Sequence, residues 1–460
     1  MSRLAILASL AAVTSALPVV SSQRFSAAPG VAPRLILLIS VDTLRADRLG
    51  AYGSTLGLTP CLDALAAESQ RFTAAFTPAP FTLPSMAAFM TSRHPQELGV
   101  TTNLSVVPQG PPRLAQWMSA RGWATGAVVS NYVLRRGVGL ARGFQRYDDQ
   151  MLEREVARGA PERTGQETTR AALRLLDQLG RSARPILLWV HYQDPHGPYT
   201  PPARARALTR AREERAADGG RVLPLSRNDR GHGALPRYQL VESRRDVAFY
   251  RAGYNGEVAQ VDGAVGELLQ GVRRHGLWDR SILVFAADHG ESLGEDDYWF
   301  AHGDLLSDAL VRVPLLVRVP GRAPAVRDDA VSLIDVFPTV AALAGVPTPA
   351  RARGRDLFAP DLRSAPVYLS TLEASAAPCR GVVAEGFRYA TCPDRGRAHE
   401  ELSALPWNVR TPRLARTEAL RRLRRHLAAA TLLPAPASRQ QHLTGADRSA
   451  LQTLGYVSGR

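Results

Sequence analysis

Four short apolar runs, each closed at once by polar residues, constrain this chain more than any other feature. They read "LILLISV" at 35–41, "ATGAVV" at 124–129, "ILLWV" at 186–190 and "ILVFAA" at 282–287. Such runs without strict alternation read as strands covered on both faces, in a mostly parallel sheet. Helical sequence fills the gaps between them: "TPCLDALAAESQRF" from Thr59, "TGQETTRAALRLLDQLG" from Thr164, and "GYNGEVAQVDGAVGELLQGVRRHG". In the last of these Val258, Val261, Val265, Leu268 and Leu269 recur at helical spacing. The expected fold class is α/β, with a central sheet sandwiched by helices.

In open α/β sheets ligands bind beyond the carboxyl ends of the strands. The residues that follow the four runs are Asp42, Asn131, His191 to His196, and Asp288 with His289. They are distant in sequence and candidates for one crevice.

After "SLIDVFPTVAALAGVPTP" (332–349) the pattern changes to a hairpin, "GVVAEGFRYAT", and then to Arg- and Ala-rich helical sequence. We expect a catalytic domain over 34–355 and a smaller α+β subdomain over 356–460. Cys379 and Cys392 flank the hairpin, whose turn could bring their sulfurs together, leaving Cys61 single. Residues 203–244, rich in Arg, Gly and Pro, read as an insertion or long loop, a lid among the options.

Residues 1–25 have one early Arg, a short broken apolar run and small residues near Ala16 and Ser21. This reads as a cleaved secretory signal, with a retained N-terminal anchor as the alternative and a secreted or periplasmic location implied. The formal net charge is +15, yet every one of the 57 basic residues is Arg and they are spread through the chain. Nucleic-acid binding calls for basic residues clustered with aromatics on one element, so no nucleic-acid partner is expected.

Seven ordered segments carry a family resemblance: "SVDTLRADRLGAYG", "TPCLDALAAES", "TLPSMAAFMTSRHPQELGV", "HYQDPHGPYTPP", "AADHGESLGE", "HGDLLSDALVRVPLLVRVPG" and "VSLIDVFPTVAALAGVP". Together they resemble the sulfatase family of the alkaline phosphatase superfamily, over about residues 34 to 358. The terminal "LQTLGYV" is also similar to the ending of many members. The resemblance implies an alkaline-phosphatase-like fold and a metal-dependent hydrolase of sulfate, phosphate or phosphonate esters. It implies Asp42, Asp288 and His289 as ligands of one divalent cation (Ca²⁺, Mg²⁺, Mn²⁺ or Zn²⁺), with the oxygen of the nucleophile completing the shell.

The departures matter as much. Formylglycine sulfatases carry C-x-P-S-R-x-x-x-L-T-G-R, and this chain reads Thr82, Pro84, Ser85, Met86 and Arg93 in the same register. Thr82 stands where the Cys is oxidised to the aldehyde, so no formylglycine is expected. Relatives that keep Thr here use its hydroxyl directly on phosphorus, and cation coordination lowers the pKa of such a hydroxyl. The other reading of Thr82 is a helix cap. Thr43 replaces a second Asp. His302 stands where the family often has Lys and could act as general acid. His196 matches a substrate-contacting His, with His191 and Asp194 as candidates to orient it. Arg93 could hold the nucleophile loop or the ester oxygens. Asp262, Asp335 and Pro338 also match, in contexts of packing or capping.

The expected partner is an anionic ester, be it glycan, lipid, nucleotide or small ester, and no integral membrane domain is expected beyond the possible anchor. Two rivals stand beside hydrolysis: a transferase that passes the group to an alcohol, and a catalytically silent binding protein on the same fold.

Overall fold

The computed structural model describes residues 32–460 except 155–158, 160, 228–229, 361, 363, 373–377, 395–396, 406–412, 431–435, 455 and 457–460. The expected secretory signal lies outside the described residues.

The four apolar runs form β-strands at the centre of an eight-stranded sheet. In chain order the sheet uses β1 (Leu35–Val41), β2 (Gln70–Phe72), β3 (Ala124–Val129), β4 (Arg146–Asp148), β5 (Ile186–Tyr192), β6 (Ser281–Ala287), β7 (Leu315–Arg318) and β8 (Ala325–Arg327). Across the sheet the order is β8-β2-β7-β6-β1-β5-β3-β4. Strands β6, β1, β5, β3 and β4 run parallel, and β7 is antiparallel to both β6 and β2. Every residue of β1, β5 and β6 is buried, as strands covered on both faces must be.

The covering helices include α1 (Pro60–Ala67), α2 (Thr82–Thr91), α3 (Gly165–Gly180), α4 (Ala203–Glu214), α5 (Val247–Arg274) and α6 (Val336–Leu343). Thr164 caps α3 by accepting from the Glu167 N–H, and Asp246 caps α5 by accepting from the Phe249 N–H. Helix α2 is buried at all ten of its positions. A helix buried all round carries no polar face, so period alone does not announce it.

The 203–244 stretch is not simply a loop. Its first part is α4, docked along α5, where the Asn255 amide donates to Thr209 Oγ1 (3.1 Å) and Glu213 Oε1 (3.0 Å). Gly256 permits this approach, since a Cβ there would lie 2.7 Å from the Pro201 ring. Sequence periodicity misses α4 because only Thr209 is buried along it, leaving no apolar stripe to read.

A second, antiparallel sheet follows, made of β9 (Val367–Ser370), β10 (Arg380–Ala384), β11 (Phe387–Asp394) and β12 (Arg397–Ala404) in that order. Helix α7 (Arg413–Ala430) packs Ala419 and Leu423 on Val382, Ala384 and Tyr389. Cys379 and Cys392 are joined by a disulfide across the β10–β11 hairpin, and Cys61 is free. Helix α8 (Gly445–Thr453) returns to the main core, where Leu451 is fully buried. Among the described residues no helix is long and apolar enough to cross a membrane.

Candidate active site

The parallel register decides which side chains can meet. Val41 and Ala287 are partners across β1 and β6, so the residues that follow, Asp42 and Asp288, leave the sheet side by side. On the other flank Ser40 pairs with His191 of β5. Asp42 therefore sits between Asp288 and His191. Asp42, Asp288 and His289 offer ligand atoms that all lie within 4.8 Å of one another, and all three residues are buried.

The backbone after β1 is bent to serve this cluster. Thr43 has φ +52°, an unfavoured conformation for a β-branched residue. Its N–H donates to Asp288 Oδ1 (3.1 Å) and its carbonyl accepts from Tyr254 OH (2.8 Å). The His289 N–H also donates to Asp288 Oδ1 (2.7 Å). Gly290 is required next, because a Cβ there would fall 1.9 Å from the Ala309 carbonyl oxygen.

Thr82 enters from α2. Its Oγ1 lies 3.4 Å from His289 Nε2 and 3.5 Å from Asp42 Oδ2. It is the first residue of the helix and not its cap; Phe81 holds that place without a side-chain capping bond. The loop is held from behind. Ser85 Oγ donates to the Asp288 carbonyl (2.7 Å), and the Leu83 N–H donates to Asn103 Oδ1 (2.9 Å).

The donor set fits a divalent cation. Asp42 Oδ1 and Asp288 Oδ2 are buried with no hydrogen-bond partner, and His289 Nε2 faces them at 3.7 and 3.6 Å. The Nδ1 proton of His289 is committed to the Gly290 carbonyl (2.9 Å), which leaves Nε2 a lone pair. Burial pushes the His289 imidazole down to about 3, aided by His302, so it is neutral as a metal ligand must be. Burial and the neighbouring Asp42 charge push the Asp288 carboxyl well above the usual range. Asp42 is held well below it: its burial works the other way but is outweighed by the imidazoles of His191, His196 and His289 around it. Asn131, after β3, donates to Asp42 Oδ2 (2.5 Å) and fixes that carboxylate.

A second set of groups lies beside the first. The His302 ring is 4.5 Å from that of His289 and 5.3 Å from that of His196. His302 Nδ1 meets Glu291 Oε1 at 3.1 Å, and Glu291 Oε2 accepts from Tyr199 OH at 3.0 Å. Burial lowers His302 to about 4 and raises Glu291 to about 7. Glu291 is the residue sequence reading overlooked, although it lies two positions after His289.

Three expectations change. His191 is not seen to orient His196: its Nδ1 pairs with Ser40 Oγ (2.8 Å), which also accepts from Trp189 Nε1 (2.9 Å), and its Nε2 faces Asp42 at 3.6 Å. Asp194 accepts from the Gly165 N–H (3.0 Å) at the start of α3. Arg93 lies past the far end of α2, a helix about 15 Å long at 1.5 Å per residue, and pairs with Glu97 at 3.4 Å. It is tied to Glu97 and is not brought to the Thr82 end of α2. Asp262 and Asp335 cap and pack as expected, Asp262 accepting from the Leu62 N–H (2.8 Å) and Asp335 from the Ser332 N–H (2.9 Å).

Comparison with known proteins agrees with this geometry. Residues 34–346 match the family model described as Sulfatase. Iduronate 2-sulfatase of Mus musculus is 26% identical over 405 residues, covering 69% of this chain and 69% of its own length. Two solved structures share the fold. BT4656, described in complex with its substrate D-glucosamine-2-N,6-O-disulfate, superposes with a TM-score of 0.69 at 17% identity, covering 88% of this chain and 98% of its own. The phosphonate monoester hydrolase SpPMH of Silicibacter pomeroyi gives 0.65 at 18%, covering 89% and 99%. With its alkaline-phosphatase-like fold and a family model that spans the Asp42, Thr82, His196, Asp288 and His302 positions, the chain belongs to the sulfatase family of ester hydrolases.

Proposed function

We propose that the protein hydrolyses phosphoric or phosphonic esters with the Thr82 hydroxyl as nucleophile. One observation carries this reading: Thr82 Oγ1 is turned into the Asp42–His289 cluster and spends nothing on capping its helix. Asp42, Asp288, His289 and Thr82 are the residues that would hold a divalent cation, which would acidify the hydroxyl and offset the charge of the ester.

The chain's own residues do the rest. Thr82 Oγ1 gives its proton to solvent and bonds to phosphorus as the bond to the leaving oxygen breaks. His302 protonates that oxygen, and Glu291, which keeps a proton near neutral pH, supplies it through Nδ1. Water then attacks phosphorus as the bond to Thr82 Oγ1 breaks; His302 takes the water proton and returns one through Nδ1 to Glu291, and Thr82 Oγ1 regains its proton from solvent. His196 steadies the non-bridging oxygens.

Phosphorus is favoured over sulfur by chemistry at Thr82. An aldehyde hydrate has a second hydroxyl on the same carbon, which can expel the bound group as the carbonyl reforms. Threonine has none, so its ester must be cleaved at the central atom. Sulfate esters are the second reading, since the curated relatives are named sulfatases.

Residues 1–25 are read as a secretory signal, and the Cys379–Cys392 disulfide supports an oxidising compartment.

The test is to measure bound metal, then assay aryl phosphate, phosphodiester, phosphonate and sulfate esters against Thr82→Ala. Turnover at phosphorus that Thr82→Ala abolishes is expected. Metal-free protein with no turnover on any ester would favour the silent binding protein.

A further inference from the structure

The region matched by the family model ends at residue 346, yet the last described residue of the chain touches the site. Tyr456 OH lies 3.1 Å from His196 Nε2, with the rings 6.2 Å apart. His196 Nδ1 is 2.8 Å from the Gly197 carbonyl, which can only accept, so in the neutral ring the proton sits on Nδ1. Without substrate Nε2 then accepts from the Tyr456 hydroxyl; beside an anionic ester the ring takes a second proton, and its Nε2–H is shared between the phenol oxygen and a non-bridging oxygen. The carbonyl fixes the tautomer, and the phenol fixes the rotation of the ring.

The segment that brings Tyr456 there is fastened to the loops behind the nucleophile. The Val106 N–H donates to Arg439 O (2.7 Å) and the Gln441 N–H to Leu104 O (2.9 Å). The Gln441 amide donates to Asn103 O (3.1 Å), and Asn103 in turn binds the Leu83 N–H beside Thr82. Asp447, which caps α8 with Thr444, accepts from Tyr132 OH and Arg135 Nε, both at 2.9 Å. That turn begins at Asn131, the residue that holds Asp42. The Tyr456 N–H then donates to Leu451 O (2.8 Å), folding the chain end back onto α8.

We infer that Tyr456 is a positioning residue of the ester site, delivered by the C-terminal segment, which holds the His196 imidazole where it receives the non-bridging oxygens of an anionic ester. This rests on the ester-site reading above.

The test uses the metal-loaded protein, inorganic phosphate as probe, and the variants Tyr456→Phe, His196→Ala and both together. Tyr456→Phe removes one oxygen from a group whose segment is held by other contacts, so the melting temperature is expected to stay within about a degree or two of the parent. Phosphate is expected to bind about tenfold more weakly to Tyr456→Phe. The double variant is expected to match His196→Ala alone, because one residue acts through the other. The ¹⁵N resonance of His196 Nε2 should move in Tyr456→Phe even without phosphate.

An unmoved His196 signal, unchanged or tighter phosphate binding in Tyr456→Phe, or additive losses in the double variant would each overturn the inference. A shifted His196 signal in a protein that binds no phosphate at all would sink the ester-site reading while leaving the Tyr456–His196 contact intact. Turnover retained by Thr82→Ala would remove the nucleophile alone.

Discussion

The two halves of the pocket are built on opposite electrostatic terms. Asp42, Asp288 and His289 spring from adjacent parallel strands, are completely buried, and leave Asp42 Oδ1 and Asp288 Oδ2 without partners. His196, His302 and Glu291 sit on the segments that follow the strands and close their hydrogen bonds among themselves, with Tyr199, Gly197 and Tyr456 as partners. One half keeps buried carboxylate oxygens that a cation would satisfy, and the other satisfies its polar groups with protein partners. The rigid half thus fits charge, and the hydrogen-bonded half fits proton transfer and oxygen recognition.

The comparison is broken most directly at Thr82, which stands between the halves. Thr82→Ala is expected to lower kcat by about a thousandfold or more while metal stays bound, read by steady-state kinetics beside metal analysis. Next comes the cation half. Asp288→Ala is expected to weaken metal binding by about a hundredfold or more, and chelation of the parent should lower the melting temperature by about 2–4 °C. Chelation without effect on either stability or turnover would contradict the cation half.

The hydrogen-bonded half is sharpened at Glu291. Glu291→Gln should cost about 10- to 100-fold in kcat, with KM nearly unchanged, because it removes a proton source and leaves the shape. It also has a pH signature. Burial raises the folded Glu291 carboxyl from 4.5 to about 7, so between those values the folded state holds a proton that the unfolded chain has lost. That contribution to stability is present below about 4.5 and is lost as pH rises through about 7. Denaturant titrations across this window should flatten in Glu291→Gln.

The smallest effect belongs to the C-terminal fastening. Asp447→Ala removes half of the capping box of α8 and one partner each of Tyr132 and Arg135, and about 1 kcal/mol of stability is expected to go with it, measured by thermal or denaturant unfolding.

The rigid half was legible in the sequence because its residues follow apolar runs, and burial on both faces writes itself into composition. Asp42, Asp288 and His289 were placed together from that pattern and from the family resemblance, and the structure brings them within ligand distance. The hydrogen-bonded half was legible only in part. His196 and His302 stand in recognisable segments, whereas Glu291 looked like one more polar residue after a strand, because its role depends on burial that only packing reveals. Helix α4 was missed because it docks through polar contacts and glycine approaches. Tyr456 lies 260 residues from His196 in sequence, and no local pattern records a contact made by a chain end folding back.

Attack by an ordinary threonine leaves a covalent trace that acid-quenched turnover with a phosphorus ester, followed by peptide mass spectrometry, can locate. A covalent phosphorus adduct is expected on the peptide holding Thr82, located at its hydroxyl and absent from Thr82→Ala. Steady turnover with the adduct on another residue, or undiminished turnover by Thr82→Ala, would contradict it.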